Sequence, residues 1–406
     1  MERYINSFAT ENDIQTALQN GELLKPYVAY IEDVDRIDWN SKEIVDYATE
    51  YLTFNILSAG TINWTASKTD VTKTIDYKLN NGEWVSITSN TGSSAPTITV
   101  NSGDKVQFRG NNTQYGTSYS NYNSFGSSAS FEVEGNIMSL IYGDDFKNKL
   151  TISGRYAFAS LFRGCTKLVS AKNLILPATT LANSCYYEMF YGCTSLTTAP
   201  ELPSTTLPNN CYYGMFQNCK SLTTAPELPA EILAYGCYYR MFEGCKSLVT
   251  APALPSTTLA NSCYKEMFYN CASLTTAPAL PATTLTDGCY YEMFYGCTSL
   301  TTAPELPATS LANSCYQSMF QGCIKLTSAP VLPATTLVYW CYNNMFRDCK
   351  NLNYIKCLAT DISASDCIYY WVNGVASTGT FVKAAGMTSW PTGINGIPTG
   401  WTVQDA

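Results

Sequence analysis

The chain has 406 residues, with 24 Lys and Arg against 32 Asp and Glu, and it contains no histidine. A net charge of −8 argues against nucleic acid, whose phosphates need a basic footprint. The lack of His excludes His-based triads, His-ligated zinc and a pH switch near neutrality.

At roughly 100–200 residues per domain the length suggests two to four units. The expected organisation is a small α+β anchoring or adaptor piece (1–46), an immunoglobulin-like β-sandwich (47–135), an α/β leucine-rich-repeat solenoid (136–379) and a C-terminal cap (380–406). Charged residues make up 14% of the chain, where about 25% is usual, and Tyr numbers 30, so hydroxyls and amides must cover the surface. The opening lacks a positively charged stretch followed by an apolar run, which predicts no secretory signal. The 17 cysteines are therefore expected to stay reduced and buried. No run of about 18 apolar residues predicts a membrane span.

Near the N-terminus, Thr10-Glu11-Asn12-Asp13 is a capping-box-like start, with Ile14, Ala17 and Leu18 as an apolar stripe ending at Gly21. A strand over Tyr27–Ile31 follows. Asp33, Asp35, Asp38 and Asn40 could ligate calcium, but no Gly or bidentate Glu stands at the required spacing. From Tyr51 to Val133 short alternating runs predict strands at Leu52–Leu57, Ile75–Leu79, Thr97–Val100, Lys105–Arg109 and Ser130–Val133. Asn81-Gly82 predicts a type I′ turn before a returning strand at Trp84. Residues 110–128, rich in Asn, Gly, Ser and Tyr, read as a long flexible loop of the composition that paratopes use.

The second half is a repeat. Met-Phe recurs every 26 residues at Met189, Met215, Met241, Met267, Met293, Met319 and Met345. Weaker copies at Leu161–Cys165 and Tyr369–Val372 bring the expected number of turns to nine. In each unit Cys185, Met189 and Cys193 fall at i, i+4 and i+8, which predicts a short helix with one apolar face. The proline-punctuated half, Leu196 to Pro203, predicts a strand of two or three residues followed by an extended arc. Slots that keep one residue through the copies are read as core: Cys185, Met189, Phe190, Cys193 and Leu196, then Cys211, Met215, Phe216 and Cys219. Slots that vary are read as surface. They carry Tyr187, Tyr191, Tyr213, Tyr239, Tyr269, Tyr291 and Tyr295, a candidate aromatic stripe for stacking on a glycan or a protein.

Two cysteines eight residues apart on a helix would lie about 12 Å apart, too far for a disulfide, and the rows do not converge as a metal site needs. No metal or other cofactor is expected. Glu201 and Glu227 occupy equivalent turns, and Ala253 breaks the row, so a solvated surface row is the expectation rather than a catalytic pair. No phosphate loop or nucleophile elbow is visible, and the reading is of a protein that is not an enzyme.

The segment Met189–Leu196, repeated at Met293–Leu300, resembles the BspA-type leucine-rich repeats of surface proteins over roughly residues 155–375. The opening Lys25–Asp33 with Arg36–Asn40 resembles the start of virion and prophage proteins of gut Bacteroidales phages. Together these resemblances imply a virion fibre or decoration protein that attaches to a host-surface glycan or protein and meets other virion proteins through its N-terminal region. A BspA-type bacterial cell-surface adhesin and a glycan depolymerase are the alternatives. No nucleic acid or membrane partner is implied. A homo-oligomer, including a trimer, is compatible with the sequence, although no heptad pattern requires one.

Overall fold

The computed structural model describes residues 6–8, 29–31 and 47–406. Strands β1 (Asn6–Phe8) and β2 (Ala29–Ile31) pair in parallel. The helix expected after Thr10 and the aspartate cluster Asp33, Asp35 and Asp38 with Asn40 lie outside the described residues.

Residues 51–136 form strands because apolar side chains alternate inward. β3 (Leu52–Ile56), β4 (Gly60–Ala66), β5 (Thr74–Leu79), β6 (Val85–Thr88), β7 (Thr97–Val100) and β8 (Lys105–Arg109) are followed by β9 (Gly116–Ser118), β10 (Asn121–Ser127) and β11 (Phe131–Asn136). One sheet has the order β7-β4-β10-β9. The other runs β11-β3-β8-β5-β6 and gains β12 (Leu168–Ile175) at its β11 edge. The sheets meet through Phe54 on β3 and Phe108 on β8, whose rings lie 4.9 and 4.8 Å from that of Phe125 on β10.

Two expectations fail here. The supposed flexible loop at 110–128 holds β9 and β10, because Tyr115, Asn123 and Phe125 point into the core. The Asn123 amide donates to Val71 O (2.7 Å) and Tyr115 O (2.9 Å) and accepts from Ser89 Oγ (2.5 Å), so a buried Asn is fully used. The β5–β6 turn is also displaced. Positive φ falls on Asn80, at 52°, and on neither Asn81 nor Gly82, which excludes a type I′ turn there.

The boundary drawn at residue 135 cuts through one continuous body. β12, the first strand of the repeat array, pairs in parallel with β11. Phe125 and Phe54 contact Phe162 at 5.8 and 5.9 Å, and Phe162 stacks on Phe190 at 5.2 Å. The aromatic core of the two sheets therefore runs on into the repeats.

The expected helix in each repeat is absent. Residues Ser184, Glu188 and Gly192 have φ of 57°, 50° and 71°, a left-handed value every fourth residue that no right-handed helix contains. The segment is a ribbon of successive four-residue turns. Odd-numbered amides close local turns, as in Tyr187 N to Ser184 O and Met189 N to Tyr186 O. Even-numbered amides donate to the next rung: Tyr186 N to Cys211 O, Glu188 N to Tyr213 O, Phe190 N to Met215 O. Among the described residues the left-handed triplet recurs in nine rungs, from Tyr156, Ser160 and Gly164 to Asp366, Tyr370 and Gly374. The extended half contributes single parallel bridges, Ser170 to Thr198, Thr198 to Thr224 and Thr224 to Thr250, rather than a strand of two or three residues. Pro200 and its copies lack the amide that would lengthen the ladder.

Between ribbon and bridges each of the seven inner rungs buries Tyr, Met, Phe, Leu and two Cys, at about 1.5–3 kcal/mol for each large apolar side chain. The Phe column from Phe162 to Phe346 is stacked with ring spacings of 5.2 to 5.8 Å.

The array ends in a parallel sheet of β13 (Tyr354–Cys357), β14 (Thr380–Lys383) and β15 (Thr402–Asp405). Within the C-terminal cap the last strand starts only at Thr402, and Ile397–Trp401 lie outside it. Ile397 instead bridges Thr392, and Trp401 is tucked under, its Nε1 donating to Ala376 O at 2.7 Å. Trp390 stacks on Trp371 at 5.7 Å, covering the last rung. Truncation after Thr380 is expected to expose Trp371 and Ile355, which the removed strand covers, and to give aggregated protein. A soluble truncated chain with one cooperative thermal transition by circular dichroism would contradict this.

Candidate functional site

The varying slots of the ribbon form columns along the array, because equivalent residues in successive rungs are joined by the amide ladder. One column holds Tyr187, Tyr213, Tyr239, Lys265 and Tyr291. The Tyr187 and Tyr213 rings stack at 4.5 Å, and Tyr239 meets Tyr213 edge-on at 4.8 Å. Lys265 interrupts the rings without breaking the column, since its Nζ lies 5.1 Å from the Tyr239 ring and 4.3 Å from that of Tyr291. A second column holds Tyr191, Tyr269 and Tyr295. Tyr269 stacks on Tyr295 at 4.5 Å, whereas Gln217 and Glu243 separate Tyr191 from them. Tyr191 is covered by the Arg163 guanidinium at 3.9 Å.

The seven tyrosines are thus neither on a helix nor free: each is half-buried against its neighbouring rungs, with one edge in solvent. Burial, joined by the field of Tyr213, raises the Tyr187 hydroxyl above its ordinary pKa. Burial and the neighbouring Tyr295 push Tyr269 up to about 12.

Charged groups are woven between the columns. Arg240 Nε reaches Glu266 at 2.7 Å and Glu243 at 3.3 Å, Tyr239 donates to Glu266 at 3.1 Å, and Gln217 donates to Glu243 at 2.8 Å. Arg163 pairs with Glu188. Burial opposes the charge on Arg240, but the hydrogen bond and charge of Glu266, with the fields of Tyr213 and Tyr239, together outweigh it and hold the guanidinium protonated. Burial raises Glu243, with Arg240 acting against it. Glu266 is nearly enclosed, so Arg240→Met should leave its carboxylate only the Tyr239 hydroxyl and a Lys265 Nζ at 3.9 Å, and destabilise the chain by about 1–3 kcal/mol. Adding Glu266→Gln should recover most of that loss in a denaturant titration.

The inner slots carry the sulfur ladder. Cys185, Met189, Phe190, Cys193, Leu196, Cys211, Met215, Phe216 and Cys219 have no exposed surface, and all 17 cysteines are free thiols. One row donates backward to the Phe carbonyl of the preceding rung: Cys193 Sγ to Phe162 O at 3.0 Å, Cys219 to Phe190 and Cys245 to Phe216 both at 3.1 Å. Cys165 donates to Phe125 O at 2.9 Å, so the β10 strand takes the place of a preceding rung. Glu201 and Glu227 lie exposed on the proline arc.

The chain matches the BspA type leucine rich repeat region in six copies over residues 159–293 and 261–370, together just over half of its length. It belongs to the BspA-type leucine-rich-repeat family. No curated protein matches it. BspA-type repeats suggest a repeat-based binding or adhesin-type role.

Toward its C-terminal end this BspA-type array departs from its own pattern. In the column of Tyr187 the slot passes to Gln317 and Asn343 before a ring returns at Tyr369. The two missing rings leave a cleft of about 500 Å³ lined by Gln317, Trp340, Asn343, Asn344, Asp366 and Tyr369. The aromatic stripe singled out in the sequence stops short of this cleft. The signal that could have found it is Trp340, a bulky residue in a slot that holds Ser, Asn or Gly in the six rungs before it.

Proposed function

We propose that this is a non-enzymatic attachment protein of a virion, with the BspA-type array displaying a face that holds a host-surface glycan or protein. The observation that carries the reading is the tyrosine and ion-pair face, built on a stack of rungs whose interior is fixed by backbone ladders. Rigid aromatic edges interleaved with satisfied charges suit recognition, because little side-chain entropy remains to be lost on binding. The Bacteroidales-phage resemblance of residues 25–40 supports the virion assignment, with that region meeting other virion proteins.

Fluorescently labelled full-length chain should bind a subset of Bacteroidales strains, and an antibody to the array should decorate purified phage particles. Replacing Tyr187, Tyr213, Tyr239 and Tyr291 by Ala should weaken cell binding. Family membership favours one other reading, a bacterial cell-surface adhesin. In that case the antibody would label cells in the absence of phage.

A further inference from the structure

We infer that the cleft at the C-terminal end of the array is a binding site for a neutral saccharide, an inference that rests on the attachment reading and names its ligand. Its volume of about 500 Å³ falls in the range of small-ligand sites, roughly 300–1,000 Å³. Its lining combines two aromatic rings, three side-chain amides and one carboxylate, with no positive charge among the six residues. Sugars present apolar C–H faces that stack on aromatic rings, and vicinal hydroxyls that amides and carboxylates pair with at both ends. An anionic sugar or a phosphate would meet Asp366 in this lining, and the neighbouring cation, Arg347, lies behind it, donating to Asn344 Oδ1 at 3.4 Å and facing Asp348 at 3.6 Å.

Two observations mark the cleft as built. Gln317, which lines the cleft, is more than nine-tenths buried, and its Oε1 is enclosed behind the cleft wall with no hydrogen-bond partner among the described residues. A buried carbonyl left in this state is costly, and a turn of the Gln317 side chain toward the cleft would let a ligand hydroxyl donate to it. Trp340 has φ of 57°, the left-handed value that this slot takes in every rung, so what is particular here is the indole carried where the six preceding rungs have Ser, Asn or Gly. Tyr339 packs against the indole at 4.8 Å with nearly parallel planes, and Trp340 Nε1 donates to Asp366 at 3.3 Å. The ring is thereby held in place before any ligand arrives. Tyr369 closes the far side, exposed and packed against Tyr370, itself left-handed at 53°.

The test uses the full chain with immobilised neutral oligosaccharides (glucans, mannans and galactans), sulfated and sialylated counterparts, and whole host cells. Binding to at least one neutral series is expected, with a change in tryptophan emission. Trp340→Gly should weaken binding at least about tenfold while raising the melting temperature, because the left-handed slot then carries the residue that prefers it. Gln317→Tyr with Asn343→Tyr should fill the cleft with the rings that other rungs carry at these slots, abolishing saccharide binding in a folded chain. Retention of binding in the filled variant, or binding confined to sulfated sugars or to a protein, overturns the site. Cell binding by the wild type with no neutral saccharide bound also overturns the site while leaving attachment intact, whereas absence of all cell binding overturns the attachment reading itself.

Discussion

Between pH 8 and pH 10 the array is expected to unfold steeply while its thiols stay silent to reagents up to the point of unfolding. Every cysteine is buried, and burial raises each thiol above its ordinary value of 9.0. Cys165, Cys237 and Cys349 rise to about 12, and Cys193, Cys211 and Cys271 rise well above that ordinary value. A thiol is neutral when protonated, so the folded chain keeps protons that the unfolded chain releases above pH 9. With fewer protons bound in the unfolded state, stability falls as pH rises from the unfolded value toward the folded one. Each thiol contributes about 1.4 kcal/mol of this loss between pH 8 and pH 10. For 17 such groups the total is on the order of 20 kcal/mol, against a usual domain stability of about 5–15 kcal/mol. Circular dichroism against pH, paired with a thiol-reactive dye at pH 8 with and without denaturant, checks both halves. Native protein that reacts at several thiols at pH 8, or that stays folded past pH 11, would refute the sealed ladder.

Gly288→Ala is expected to lower stability by about 1–2 kcal/mol, where the same change inside a helix would raise it by about 0.5–1 kcal/mol. Gly288 has φ of 60°, and an added Cβ would meet nothing closer than Ser262 Oγ at 3.5 Å, so the effect isolates backbone conformation. Gly288→Val should be worse, because branching at Cβ makes the left-handed well still less accessible. Gly288→Asn should be nearly neutral, since Asn210 fills the same slot at 53°. Gly386, with open space at its Cβ position, serves as a control. Chemical denaturation of the three variants decides the matter, and a stabilising Gly288→Ala would mean that the ribbon is wrong.

The repeat period and its interior were readable because identical side chains at fixed slots leave little else to infer. The error over helix and ribbon has a physical source. Cys185, Met189 and Cys193 are four residues apart, a spacing shared by a helical face and by a chain of four-residue turns. The discriminating residues were Asn210, Gly236, Gly244, Gly288 and Gly296, small or amide-bearing groups spaced to supply positive φ where a helix would be weakened. Strand β10 was hidden because Asn123 and its serine and glycine neighbours have low strand propensity, and only tertiary hydrogen bonds show why Asn123 is inside. The cleft draws on three rungs, and it showed in the sequence only as an interruption of the column of Tyr187.

The amide ladder between rungs bears on how such a chain can change its length. Any insertion or deletion of a whole 26-residue unit restores every donor to an equivalent acceptor, so gene duplication can extend the stack without leaving a seam. Each added unit would carry the terminal cleft about 4.8 Å farther from the paired sheets at the other end, making reach a quantity that lineages can adjust in fixed increments.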